Sequence, residues 1–213
     1  MNFARARARM VEEQLVDRGV TDVRVLAAMS KVERHRFVAE ALQQRAYDDK
    51  ALPIGERQTI SQPYMVGLMT QILELRGAER VLEIGTGCGY QTAVLAELVA
   101  TVYTIERLAS LAAAARATLD ACGYANVVTR VGDGTIGWAE EAPFDGILIT
   151  AGTPQVPRPL LAQLREGGSL VFPIGEEQLQ TLVRIRKEPK GLREEYFGDC
   201  RFVKLVGRYG WRQ

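Results

Sequence analysis

The run Gly85-Thr86-Gly87-Cys88-Gly89 follows the short apolar stretch Val81-Leu82-Glu83-Ile84 and precedes a helix-forming segment that begins at Tyr90. A Gly-x-Gly-x-Gly turn lets a ligand approach the main chain closely, because glycine lacks Cβ and tolerates positive φ. The helix behind it offers free N–H groups at its start. This chemistry suits a nucleoside-bearing cofactor. Carboxylates fall where such a ligand needs them. Glu83 stands near the end of the first strand, and Glu106 follows the second, about twenty residues beyond the turn, with Arg107 beside it. A carboxylate at that place accepts two hydrogen bonds from ribose hydroxyls; the plainer reading is a solvated surface acid. Asp133, in Gly132-Asp133-Gly134, follows the third strand. It either accepts from an adenine amino group or caps the short turn after it, and both can hold together.

Two kinds of nucleotide chemistry fit poorly. A phosphate-cradling loop requires Gly-x-x-x-x-Gly-Lys-Ser/Thr, and no Gly-Lys pair occurs in the chain. A dinucleotide fingerprint requires Gly-x-Gly-x-x-Gly/Ala. Here the sixth position is the bulky Tyr90, and the third glycine comes one place early. That spacing resembles the first motif of S-adenosylmethionine (AdoMet) methyltransferases.

The elements that must position these residues alternate. Strands are expected at 80–84, 101–105, 127–131, 145–150 and 169–173, and helices at about 90–98, 108–121 and 157–164. Short apolar strands separated by helices are the signature of a doubly wound α/β sheet whose parallel strands are covered on both faces. Ahead of this core, helices are expected from Phe3 to about Arg18 and after the Thr21-Asp22 cap. An ordered loop is expected over 47–61, then a helix opening at Pro63 with Ser61 as its cap. From Gln180 onward strands occur without helices (181–186, then about 194–205), which fits an antiparallel edge. Tyr90 and Trp138 read as core or wall residues, and Asp145 as structural, since it opens its strand at the end away from the ligand.

At 213 residues the chain has room for one domain with a substantial core. A net charge of +1 points to no polyanionic partner such as nucleic acid. No apolar run approaches the roughly 18 residues of a membrane span, and the N-terminus lacks the apolar stretch of a secretory signal. The cytoplasm is therefore the expected compartment. Three dispersed cysteines suggest neither disulfides nor a metal cluster, and a single histidine, His35, excludes a His-rich metal site. His35 is expected on an exposed helix or turn.

Several blocks, in order along nearly the whole chain, resemble the protein-L-isoaspartate (D-aspartate) O-methyltransferase family. They are 46–55, Gln58-Thr59-Ile60-Ser61-Gln62-Pro63-Tyr64-Met65, 81–96, Thr104-Ile105-Glu106-Arg107, Gly132-Asp133-Gly134, 142–145 and Gly167-Gly168. The Thr-Ile-Ser-Gln-Pro block is more specific than the glycine turn, which many methyltransferases share. Three positions depart from the family pattern: Cys88 stands for serine, Gly152 for alanine, and Lys204 for proline in the C-terminal strand, which the resemblance implies helps wall the site.

The resemblance implies a class I AdoMet-dependent methyltransferase, Rossmann-like, with N-terminal helices and an antiparallel C-terminal strand pair. It implies one domain over 1–213: a helical part and active-site loop (1–62), a cofactor-binding core (63–175) and C-terminal strands (176–213). The reaction implied is methyl transfer from AdoMet to the free α-carboxylate of an L-isoaspartyl residue in damaged proteins and peptides. The ester then collapses to a succinimide, leaving S-adenosyl-L-homocysteine as coproduct. Ser61 would stand at the reacting centre. Gln58, Thr59 and Ile60 would line the site and meet the cofactor; Gly85, Thr86, Gly87, Cys88 and Gly89 would wrap the methionine end, and Glu83 would bind the cofactor too. Glu106 with Arg107 would meet the ribose, and Asp133 with Gly134 the adenine. A monomer without metal is expected. A carboxylate with an ordinary pKa near 4 is already ionised at neutral pH, so no strong base is required. The rivals are an AdoMet enzyme acting on a small molecule or RNA, a dinucleotide oxidoreductase, and a relative without turnover.

Overall fold

The structure, a computed structural model, describes residues 2–212. Helices α1 (Phe3–Arg9), α2 (Val23–Lys31) and α3 (Pro63–Ile72) and a small hairpin, β1 (Leu52–Gly55) and β2 (Gln58–Ile60), precede the main sheet. The core then runs β3 (Arg80–Ile84), α4 (Tyr90–Ala96), β4 (Thr101–Glu106), α5 (Ala109–Ala121), β5 (Val127–Val131), β6 (Phe144–Ile149), α6 (Arg158–Gln163) and β7 (Leu164–Gly175). Strands β8 (Gln180–Glu188) and β9 (Gly191–Cys200) complete it. The seven strands lie in the order β5-β4-β3-β6-β7-β8-β9. Pairings from β5 through β7 are parallel, and those of β7 with β8 and β8 with β9 are antiparallel.

The central strands are buried because alternate side chains feed two apolar layers. Val81, Val102, Leu148 and Val171 face one core together with residues of α2, α3 and α4. Leu82, Ile84, Tyr103, Ile105, Ile147 and Ile149 face the other. The strand order reverses at β3, so the carboxyl ends of β3, β4 and β6 open a crevice where ligands bind in such sheets. No helix among the described residues is long and apolar enough to cross a membrane.

Four expectations are revised. The first helix is α-helical only to Arg9; residues Met10–Leu15 wind as a π-helix and Val16–Arg18 as a 3₁₀ turn, ending at Gly19 with φ 88°. A π-helix bonds residues five apart, and Met10 and Leu15, five apart, are both fully buried. The loop over 47–61 contains the β1–β2 hairpin, whose turn residues Glu56 and Arg57 both have positive φ (50° and 58°). Such turns usually carry Asn-Gly, so the sequence hides it. The last strand ends at Cys200 rather than near 205. Beyond it the chain crosses the sheet's carboxyl end, where the Leu205 N–H donates to the Gly152 carbonyl at 2.9 Å and the Gly152 N–H to that of Val203 at 2.7 Å. Finally, the cap position of α3 is Gln62, with no side-chain capping bond, so Ser61 does not cap it. Asp22 does cap α2 as expected, accepting from the N–H groups of Arg24 and Val25.

Candidate active site

The glycine turn is held by contacts from three strands. The Gly85 N–H donates to the Ile105 carbonyl at 2.9 Å. The Thr150 hydroxyl, at the end of β6, donates to the Gly85 carbonyl at 2.7 Å and also lies 3.0 Å from that of Ile84. Gly85 has φ 97°, and a Cβ there would lie 2.4 Å from Thr150 Oγ1. Only glycine accepts both that dihedral and that proximity. At Gly134 a Cβ would lie 2.4 Å from Ile84 Cγ2, so the turn after β5 closes directly on β3.

Around these groups lies a solvent-open cleft. Gln58, Thr59, Gly85, Gly87, Glu106, Arg107 and Gly134 all line it. Glu106 is almost wholly buried. Its Oε2 accepts from the Gly87 N–H at 2.9 Å and its Oε1 from the Leu108 N–H at 3.0 Å. Each oxygen keeps a second lone pair for a ligand hydroxyl. This burial excludes the plainer reading of Glu106 as a solvated surface acid.

Three predicted residues, Glu83, Asp133 and Gly89, line neither this cleft nor the two recesses beside it. Glu83 points to the same face of β3 as Val81, the one covered by α4, where its Oε2 accepts from the hydroxyls of Thr92 at 2.5 Å and Thr104 at 2.6 Å. The Thr86 hydroxyl lies 2.6 Å from that of Thr104, extending this network to the turn. Glu83 Oε1 has no hydrogen-bond partner, and burial pushes its carboxyl up to about 8. It is a neutral prop beneath the turn at pH 7. Asp133 Oδ1 accepts from the Thr135 N–H and hydroxyl, and its Oδ2 from the Arg208 N–H at 2.8 Å. Partial burial works to raise its pKa, but the Arg208 and Thr135 donors outweigh this and hold it low. Asp133 caps its turn and clamps the C-terminal segment, leaving Gly134 to face the cleft. Gly89 is the N-cap of α4 and packs toward Leu119.

A second cavity adjoins the cleft and shares Thr59, Thr150 and Val203 with it. Ser61 lies on its wall, flanked by Arg18, Lys50, Tyr64 and Arg201. A third, smaller recess joins the two and is lined by Thr59, Ile60, Ser61, Thr86, Gly87 and Cys88. Burial pushes the Cys88 thiol up to about 11, so it stays protonated there. Among the described residues the Ser61 hydroxyl has no hydrogen-bond partner, while the Ser61 carbonyl accepts from Arg34 Nη2 at 2.7 Å. His35 is in a turn, as expected, but half-buried: its ring stacks on Phe3 and its Nδ1 lies 2.8 Å from the Tyr47 hydroxyl.

Sequence reasoning missed Thr150 and Arg34; the wall that the family resemblance implied for the C-terminal segment is formed by residues 203–206. Thr150 follows a parallel strand, a position that marks a candidate; nothing in its neighbours signals Arg34. Lys204, the departure from proline, sits in that wall and pairs with Glu177 at 2.8 Å, so its ammonium is turned to an acid rather than left facing the cleft alone.

A doubly wound sheet with this glycine turn and a buried acid at the end of the next strand defines the class I AdoMet-dependent methyltransferases. A solved structure described as a protein-L-isoaspartate O-methyltransferase superposes with TM-score 0.86 at 29% identity, covering 96% of this chain and 67% of that one. Another, from Plasmodium falciparum and described as a β-aspartate methyltransferase in complex with S-adenosyl-L-homocysteine, gives TM-score 0.82 at 25% identity over 94% and 98% of the two chains. The family model for protein-L-isoaspartate(D-aspartate) O-methyltransferase (PCMT) matches residues 5–210, and the chain belongs to that family. The protein-L-isoaspartate O-methyltransferase 1 of Syntrophobacter fumaroxidans is 59% identical over 99% of both chains. The protein-L-isoaspartate O-methyltransferase of Geobacter metallireducens is 60% identical over 99% of this chain and 98% of its own.

Proposed function

We propose that this chain methylates the free α-carboxylate of L-isoaspartyl residues in damaged proteins and peptides, using AdoMet. One observation carries the placement of the reaction: the Ser61 hydroxyl is uncommitted and stands where a second cavity meets the cofactor cleft. The cleft suits AdoMet. The open main chain at Gly85 and Gly87 accepts the methionine end, with Thr86, Cys88, Thr59 and Ile60 beside it. Glu106 accepts from the ribose hydroxyls, and Arg107 and Gly134 flank the nucleoside. Glu83, Asp133 and Gly89 support these groups from behind.

Bound AdoMet supplies an electrophilic methyl group on a sulfonium centre. The chain's own work is positioning. Ser61 donates a hydrogen bond to one carboxylate oxygen and fixes its approach. The C-terminal wall at 203–206 and the β1–β2 hairpin flank the junction. The nucleophile is ionised at neutral pH, so no residue need remove a proton, and positioning of this kind is worth up to roughly 7–11 kcal/mol in favourable systems. One chain lines both cavities, which supports a monomer as the active species.

The test uses two synthetic peptides of one sequence, differing only in an L-isoaspartyl or L-aspartyl linkage, each incubated with methyl-labelled AdoMet. Base-labile label on the isoaspartyl peptide alone is the expected result. Label on neither peptide, with AdoMet binding intact, would refute the substrate assignment.

A further inference from the structure

Arg34 is fully buried, yet among the described residues no acidic side chain pairs with it. Its Nε donates to the Ala46 carbonyl at 2.7 Å and its Nη2 to the Ser61 carbonyl at 2.7 Å. Its third nitrogen, Nη1, is buried without a hydrogen-bond partner. The guanidinium lies over the ring of Tyr90, 4.7 Å from its centroid, and Tyr90 is the first residue of α4 behind the cofactor turn. Burial lowers the pKa of Arg34, with no carboxylate among the groups that offset it. An arginine nonetheless keeps its charge in proteins.

Such an arrangement costs free energy that a scaffold alone would avoid, since buried charges are ordinarily paired. The cost becomes intelligible if an anion arrives next door. We propose that Arg34 is a positioning residue for the transfer, tying the Ser61 main chain to the Ala46 turn with one donor on each carbonyl and setting a desolvated positive charge behind Ser61 to favour the incoming carboxylate. This rests on the functional reading above. The same guanidinium links the Ser61 segment, the Ala46 turn and the start of α4, so the carboxylate's anchor and the cofactor turn are held in one frame. The fork is needed for this: a lysine keeps the charge but cannot span both carbonyls with the same geometry.

The experiment compares wild type, R34K and R34M by steady-state kinetics on the isoaspartyl peptide, AdoMet binding by calorimetry, and thermal unfolding. R34M is expected to lose about 100-fold or more in kcat, the scale of a misplaced reacting group, with AdoMet Kd changed by less than about twofold. R34K, keeping the charge without the fork, is expected to lose roughly tenfold and so to rescue part of the loss. If R34M does not fold, R34K decides: a kcat loss with Kd preserved supports the inference, and an unchanged kcat overturns it. Equal losses of turnover and AdoMet affinity in a folded variant would also overturn it, leaving Arg34 a scaffold residue. Failure of the wild type to label the isoaspartyl peptide would refute the functional reading itself, a result separable from a wild-type rate that survives both substitutions.

Discussion

Glu106→Gln isolates the role of the buried acid. In the structure both carboxylate oxygens are in use, Oε2 by the Gly87 N–H at 2.9 Å and Oε1 by the Leu108 N–H at 3.0 Å. Glutamine keeps the shape but turns one acceptor into a donor. Whichever way the amide rotates, an NH₂ faces a main-chain N–H, and one bond to a charged acceptor is lost. Such bonds contribute about 1.5–3 kcal/mol each. For a chain of this size that corresponds to a fall in melting temperature of about 3–12 °C. If the same carboxylate accepts from the ribose of AdoMet, loss of one bond of that strength weakens AdoMet binding by about 10- to 150-fold. Calorimetric titration with AdoMet and S-adenosyl-L-homocysteine reads the second effect. Thermal unfolding of the unliganded protein reads the first. A variant that melts early but binds AdoMet with unchanged affinity would refute the ribose assignment and leave Glu106 as a brace for the turn.

Ser61→Ala removes a hydroxyl that the fold itself does not use. Turnover should fall about 10- to 150-fold, the worth of one hydrogen bond to a carboxylate, while AdoMet affinity stays. Equal losses of both in titration and kinetics would count against a role at the reacting centre. Glu83→Gln tests the neutral prop. The folded chain holds the Glu83 proton up to about pH 8, whereas the unfolded chain releases it near 4.5. The folded state therefore binds more protons in that window, and this contribution to stability is lost as pH rises through it, with a limiting slope of about 1.4 kcal/mol per pH unit. Denaturant unfolding of wild type and variant across pH 5–9 should show wild type losing ground to the variant as pH rises; a difference flat with pH would mean that Glu83 is ionised in the fold.

The turn at Gly85–Gly89, the acid at Glu106 and the alternation of strands and helices were legible in the chain because each is a local demand. A positive φ calls for glycine, a buried parallel strand for a short apolar run, and a strand end for a polar residue at a set distance. Glu83 and Asp133 carried the right type at strand ends, but residue type does not report which face a side chain takes or what is packed against it. Pleating turned Glu83 toward α4, and the C-terminal segment claimed Asp133 through the Arg208 N–H. The β1–β2 hairpin was hidden because Glu56 and Arg57 hold dihedrals that their types disfavour, kept there by strand pairing and a hydrogen bond from Ser110 to Glu56.

The sequence by itself thus determined the class of fold, the cofactor turn and the family block around Ser61. Only the tertiary structure decided that Thr150 braces Gly85 and that Arg34 reaches Ser61 from another part of the chain. Those contacts join segments far apart in sequence. Their geometry follows from sheet order and packing, which no local pattern of residues encodes.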